Sequence, residues 1–191
     1  MLKKKKLTID VMLTLENWLV EKKLITLINQ QEINELLNSL KLKIEYVGKN
    51  DLPNNTEAIL MPYQGDDDFL GLIKLRDDLA DNPFACVHEI IHYFYDVGQG
   101  KKVTMEYTRK ITGKTENEHE QRINYMTAAC IMPKTDISEY IKKYDEQFPK
   151  VDTVKFISEL CKFYHQNEKA VIRRIQEVRK LNKSERKTLV S

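Results

Sequence analysis

The stretch 83–98, PFACVHEIIHYFYDVG, contains two histidines four residues apart, with a glutamate directly after the first. On an α-helix, residues i and i+4 lie about 40° apart in azimuth, so His88 and His92 project side by side. Two neutral imidazoles at this spacing can bind one Zn²⁺. Glu89 lies about 100° round the helix, where it can reach a water on that ion as general base. The stretch predicts metal-assisted hydrolysis; the alternative is two histidines in an ordinary core helix.

Almost every other residue of this stretch is apolar or aromatic, which predicts a buried helix from Pro83 to about Asp96. Asn82 suits its N-cap, and Gly98 suits its end. Polar atoms that such a helix carries into a dry core need partners. A metal ion would supply those partners in one step, which favours the metal site over the core alternative.

A catalytic zinc site needs a third protein ligand and one open position. The extended motif HExxHxxGxxH is excluded, because the sequence has neither its glycine nor its third histidine. A later helical segment offers four candidates: Glu116, Glu118, His119 and Glu120. Glu120 fits best, since it lies three residues before Ile123 on the face predicted to turn inward, and His119 is its rival. Asn124, one turn beyond Glu120, either hydrogen-bonds a histidine or the ligating carboxylate, or is an ordinary polar helix residue.

Two motifs of the chain resemble those of the ImmA/IrrE family of metallopeptidases: HEIIHYFY and, after a loop, EQRINYMTAACIMP. The positions of the second motif that agree with the family pattern are Glu120, Asn124, Ala128, Met132 and Pro133. The strand segment FLGLIKL extends the resemblance, which covers residues 30–180. Ile90 and Ile91 depart from it, because the family often has Leu-Gly there.

The resemblance implies a cytoplasmic zinc metallopeptidase in which His88, His92 and Glu120 bind Zn²⁺ and Glu89 is the catalytic base. It also implies a protein substrate, namely a DNA-binding repressor of a mobile element or phage. His-His-Glu ligation permits manganese or iron as well, although zinc is favoured. The alternative function is a zinc-stabilised regulatory module that docks to a repressor without cleaving it.

The overall composition argues against several other classes of protein. A formal net charge of +2 gives no reason to expect direct binding to nucleic acid or to an anionic membrane. Three cysteines without a C-x-x-C pair argue against a disulfide framework and a zinc ribbon, and they favour a reducing cytosol. No window approaches the roughly 18 apolar residues of a membrane span.

The elements around the metal motif predict an α+β fold. Helical spacing over 8–28 and 31–40 is followed by three strand-like runs, LKIEYV, EAILMPY and FLGLIKL. We expect a small, mostly antiparallel three-stranded sheet packed on a central zinc-binding helix, with FLGLIKL as the edge strand that receives an extended substrate.

Thr115 is predicted to cap a helix that ends at Met132, and three more helices follow it. The expected domains are a metallopeptidase-like domain with N-terminal helices over residues 1–147 and a helical extension over 148–191 packed on the same domain.

Overall fold

The computed structural model of the chain describes residues 7–25, 27, 29–53, 56–110, 118–147 and 152–188. Seven α-helices lie in these residues: α1 (Ile9–Glu21), α2 (Gln30–Ser39), α3 (Pro83–His92), α4 (Glu118–Ile131), α5 (Lys134–Gln147), α6 (Thr153–Phe163) and α7 (Glu168–Thr188). The strands of the same residues are β1 (Leu42–Val47), β2 (Thr56–Met61), β3 (Gly71–Arg76) and β4 (Tyr107–Lys110). The α+β class is confirmed. The predicted cap at Thr115 and the candidate ligand Glu116 lie outside the described residues.

The four described strands form one mixed sheet in the order β1-β3-β2-β4. β1 pairs with β3 in parallel, whereas β2 pairs antiparallel with both β3 and β4. The prediction of a mostly antiparallel, three-stranded sheet was therefore wrong. The physical reason is that β3 does not extend the sheet beyond β2 but inserts between β1 and β2. Two strands that run in the same direction, β1 and β3, thereby become hydrogen-bonded neighbours.

The position of β3 also corrects its predicted role, because a strand with neighbours on both sides has no free edge for a substrate. Five of its six residues are buried, as expected for a strand covered on both faces. Gly71 begins the strand at a point of close approach, since a Cβ built there would lie 2.5 Å from Cγ2 of Val103. Only glycine fits there without a shift of its neighbours.

Helix α3 is the buried centre of this part of the fold. It packs against β2, β3, β4 and α2, and all its residues except Phe84 are buried. As predicted, Asn82 caps its start: the backbone N–H of Phe84 donates to Oδ1 of Asn82 over 3.0 Å. A π-helical turn, Tyr93–Val97, continues the helix and ends at Gly98, whose φ of 94° favours glycine.

The chain divides into two compact units. One contains the described residues from 27 to 127, including the sheet and α3. The other contains those up to 25 and from 128 onward. The predicted division at residue 147 stays a prediction. Within the described part of the chain, each helix is either too short or too polar to traverse a lipid bilayer.

The second unit is helical, and α7 packs against α1, α5 and α6. Arg174 of α7 is fully buried there. Its Nη2 donates to Oε1 of Glu16 on α1, and its Nε donates to the carbonyl oxygen of Met132, each over 2.8 Å. This buried ion pair links the first and last helices of the unit.

Candidate metal centre

The two histidines of α3 lie on adjacent turns with their rings close together. Their Nε2 atoms are 3.1 Å apart, and their ring centroids are 4.8 Å apart. The side chains of His88 and His92 are only 1% and 3% exposed. The helix therefore presents two imidazole nitrogens to one point within a nearly dry environment.

Glu120, in the first turn of α4, brings its carboxylate to both histidines. Its Oε2 lies 3.5 Å from Nε2 of His88, and its Oε1 lies 3.4 Å from Nε2 of His92. The hydrogen bond with His88, together with the charges of His92 and His119, lowers the pKa of Glu120 despite the opposing effect of burial. The charged form of this carboxylate, which is the form that can bind a metal ion, is thus favoured.

The three donor groups fit the geometry of a small divalent ion. Ligand atoms about 2.0–2.1 Å from a tetrahedral zinc lie about 3.3–3.4 Å from one another. The separations among His88, His92 and Glu120 are 3.1, 3.4 and 3.5 Å. Moreover, imidazole nitrogens and a carboxylate oxygen are the ligand atoms that zinc prefers together with thiolates. The donor set therefore suits a metal ion better than a core of satisfied polar groups.

Asp96, in the π-helical turn, is a contact that the sequence analysis missed. Its Oδ2 lies 2.6 Å from Nδ1 of His92 and 3.1 Å from Nε2 of His119. Burial alone would raise the pKa of Asp96, but its hydrogen bonds with His92 and His119 lower it overall. A metal-bound histidine usually donates its other ring N–H to such a carboxylate. The spacing of Asp96 four residues after His92 was the signal that could have revealed it.

The other sequence candidates have different positions. Glu118 is exposed and accepts a 2.8 Å hydrogen bond from Arg122, so it does not join the histidines. His119 contacts Asp96 instead of the three-donor group. Although His92, Asp96 and His119 are themselves a possible ligand set, the 2.6 Å between Nδ1 of His92 and Oδ2 of Asp96 is a hydrogen-bond distance.

Glu89 is fully buried on α3, between the two histidines in sequence. The pKa of the Cys86 thiol is raised to about 12, mainly by burial and to a smaller extent by the charge of Glu89. Asn124 is partly buried on α4, one turn beyond Glu120. The roles of Glu89 as base and of Asn124 as a partner of the ligands stay predictions.

A cavity of about 540 Å³ opens beside these groups. His92, Asp96, His119 and Glu120 contribute to its wall. The remaining lining residues are Tyr95, Glu106 and Tyr107. All belong to the unit that contains α3, so the site has a space in which a ligand can approach the candidate metal position.

The chain matches a known protein family over the part that contains this site. Residues 72–175, more than half of the chain, match the family model described as the IrrE N-terminal-like domain, Peptidase_M78. No curated protein and no solved structure matches the chain. The matched range contains α3 with both histidines and all of α4 with Glu120.

Proposed function

This chain belongs to the ImmA/IrrE family of metallopeptidases, and we propose that it uses Zn²⁺ to hydrolyse a peptide bond in a partner protein. The observation that carries the proposal is the convergence of His88, His92 and Glu120, with 3.1–3.5 Å between donor atoms. A peptidase implies a protein or peptide substrate. We propose a DNA-binding repressor as that substrate, on the resemblance of the two sequence motifs.

In this proposal, His88, His92 and Glu120 would hold the ion. When bound, the ion would supply Lewis-acid polarisation of a water molecule and of the substrate carbonyl. Asp96 accepts the Nδ1 proton of His92, which leaves the lone pair on Nε2 of that ring for the ion.

Glu89 is the proposed general base. Its position one residue after His88 directs it to a neighbouring sector of the helix rather than to the ligand face. There its carboxylate takes a proton from the attacking water and delivers that proton to the leaving amine. Glu89 is fully buried next to the proposed ligand His88, so its carboxylate is shielded from bulk water.

The strand proposed to receive the substrate is β4. Among the described strands it pairs with β2 alone, so no described strand occupies its other edge. It also packs against α3, and the ring centroid of its first residue, Tyr107, lies 5.4 Å from that of His92. An extended peptide that adds to this edge would pass the metal position.

The test compares the wild-type chain with Glu89→Gln after both have been loaded with zinc. Each protein is incubated with a proteome-derived peptide library, and new N-termini are identified by mass spectrometry. We expect cleavage by the wild type and none by the variant, at equal zinc content. Cleavage that persists in Glu89→Gln would contradict the proposed base.

A cellular reporter separates the peptidase from the docking module. A repressor that the wild-type chain inactivates is expressed with Glu89→Gln, and reporter derepression is measured. Loss of derepression supports proteolysis, whereas full derepression by Glu89→Gln supports a module that acts by binding alone.

A further inference from the structure

His119 occupies a fixed position beside the proposed ligands without joining them. Its Nε2 lies 3.1 Å from Oδ2 of Asp96, the atom that also contacts His92. Its ring centroid is 5.9 Å from that of His92 and 5.8 Å from that of Tyr95. One carboxylate oxygen thus anchors two imidazole rings, one at the metal position and the other next to it.

The two anchored rings differ in their exposure. His92 is 3% exposed, whereas the side chain of His119 is 42% exposed and lines the 540 Å³ cavity. A ring that served only to support Asp96 would have no need of this access. His119 therefore combines an anchored orientation with contact to the space where a substrate would lie.

We propose that His119 is a catalytic residue that hydrogen-bonds the main chain of the peptide being cut through its Nδ1 atom. This inference rests on the proposed peptidase function. Donation from Nε2 to Asp96 leaves Nδ1 as the nitrogen that meets the substrate. Nδ1 accepts from a peptide N–H in the neutral ring and donates to a peptide oxygen in the charged ring, so the contact exists in either form.

Two other roles for His119 make different predictions. A metal ligand at this position would be needed to retain zinc. A positioning residue that only supports Asp96 would need an atom at the place of Nε2 and none at the place of Nδ1. Asparagine puts its terminal amide atoms near the place of Nδ1, and glutamine puts them near the place of Nε2, so these substitutions separate the roles.

The experiment uses the full chain as wild type, His119→Asn, His119→Gln and His119→Ala, each loaded with zinc. Zinc content is measured for every protein. The probe is a phosphinic pseudo-tetrapeptide of alanine, whose tetrahedral group imitates a hydrated peptide bond. Its dissociation constant is determined by calorimetry, with His165→Ala as a matched control for loss of an exposed histidine.

We expect equal zinc content in all five proteins. Probe affinity should fall between about fivefold and 100-fold in His119→Ala and His119→Gln, while His119→Asn retains most of it. Affinity retained by His119→Gln but lost in His119→Asn would assign a positioning role and overturn the proposal, as would zinc loss or unchanged affinity in His119→Ala. A zinc-loaded wild type that fails to bind the probe would contradict the peptidase function itself and this inference with it.

Discussion

The Nδ1 atom of His92 lies 2.6 Å from Oδ2 of Asp96, so a carboxylate supports the histidine on the side opposite its Nε2 atom. The pair is part of a continuous sequence of contacts, because Nε2 of His92 faces His88 and Glu120 while Asp96 also contacts His119. Orientation of the ring and choice of its tautomer both follow from this one hydrogen bond.

Asp96→Ala should lower zinc affinity about 10- to 100-fold, because His92 would lose the acceptor that fixes its ring and its tautomer. Competition with a chromophoric chelator at constant pH measures the change. Asp81→Ala, which alters an exposed aspartate, is the control and should bind zinc as the wild type does. Unchanged affinity in Asp96→Ala would show that the hydrogen bond does not support the site.

Glu120→Ala should lower zinc affinity more than about 100-fold, because it removes a proposed ligand rather than a partner of one. Glu118→Ala is the matched control, since Glu118 lies two residues earlier on the same helix, is exposed and bonds Arg122. The same chelator competition applies to both. Equal losses of zinc affinity in the two variants would contradict the assignment of Glu120 as the third ligand.

Glu120 should also make the stability of the metal-free protein depend on pH. Its pKa in the folded chain is lowered from the ordinary value of 4.5, chiefly by the hydrogen bond with His88. A lowered folded pKa means that the unfolded chain binds the proton more readily, so this stabilisation is complete above the unfolded value and is lost as the pH falls through the folded one.

Urea unfolding of the metal-free chain between about pH 3 and 6 measures this dependence. Glu120→Gln should have a shallower loss of stability on the acid side than the wild type, because the substituted side chain does not titrate. If the free energy of unfolding falls equally with decreasing pH in the two proteins, the predicted contribution of Glu120 is ruled out.

Arg174→Ala should lower the free energy of unfolding by about 3–5 kcal/mol, because it leaves the Glu16 carboxylate without its buried cation. The adjacent Arg173 is the matched control: it is exposed and pairs with Glu177 at 3.0 Å. Arg173→Ala should cost less than about 1 kcal/mol. Urea denaturation measures the free energy of unfolding of both variants. Similar losses would show that burial does not strengthen the ion pair of Arg174 with Glu16.

Part of the candidate site could be predicted from helical spacing in the sequence. The positions of His88 and His92 followed from helical spacing, and the same reasoning placed Glu120 on the inward face of a later helix. Asp96 was missed although it lies four residues from His92, because the π-helical turn and the position of His119 were not visible in the sequence. The cavity likewise depends on side chains from α3, α4 and the segment around β4, which the sequence does not align.

For the sheet, the sequence predicted the strand segments but not their order. The sequence predicted the segments of β1, β2 and β3 close to their observed bounds, because each is a short apolar run between turn residues. It did not predict that β3 lies between β1 and β2, nor that β4 joins the sheet beside β2 near the candidate metal position. Strand order depends on pairing between distant segments, and single runs carry little information about that pairing.

By itself, therefore, the sequence determined the α+β class, the cap and spacing of the histidine helix, and the family to which the chain belongs. The cap and the histidine spacing depend on hydrogen bonds and side-chain directions within a few residues, which the α-helix fixes. The class and the family depend on residue patterns within short segments, which are legible without knowing how the segments pack. The tertiary structure alone decided the strand order, the contacts of Asp96 and the exposure of His119. Each of these depends on which distant surfaces are buried together, and that choice is made by the energy of the whole packed unit.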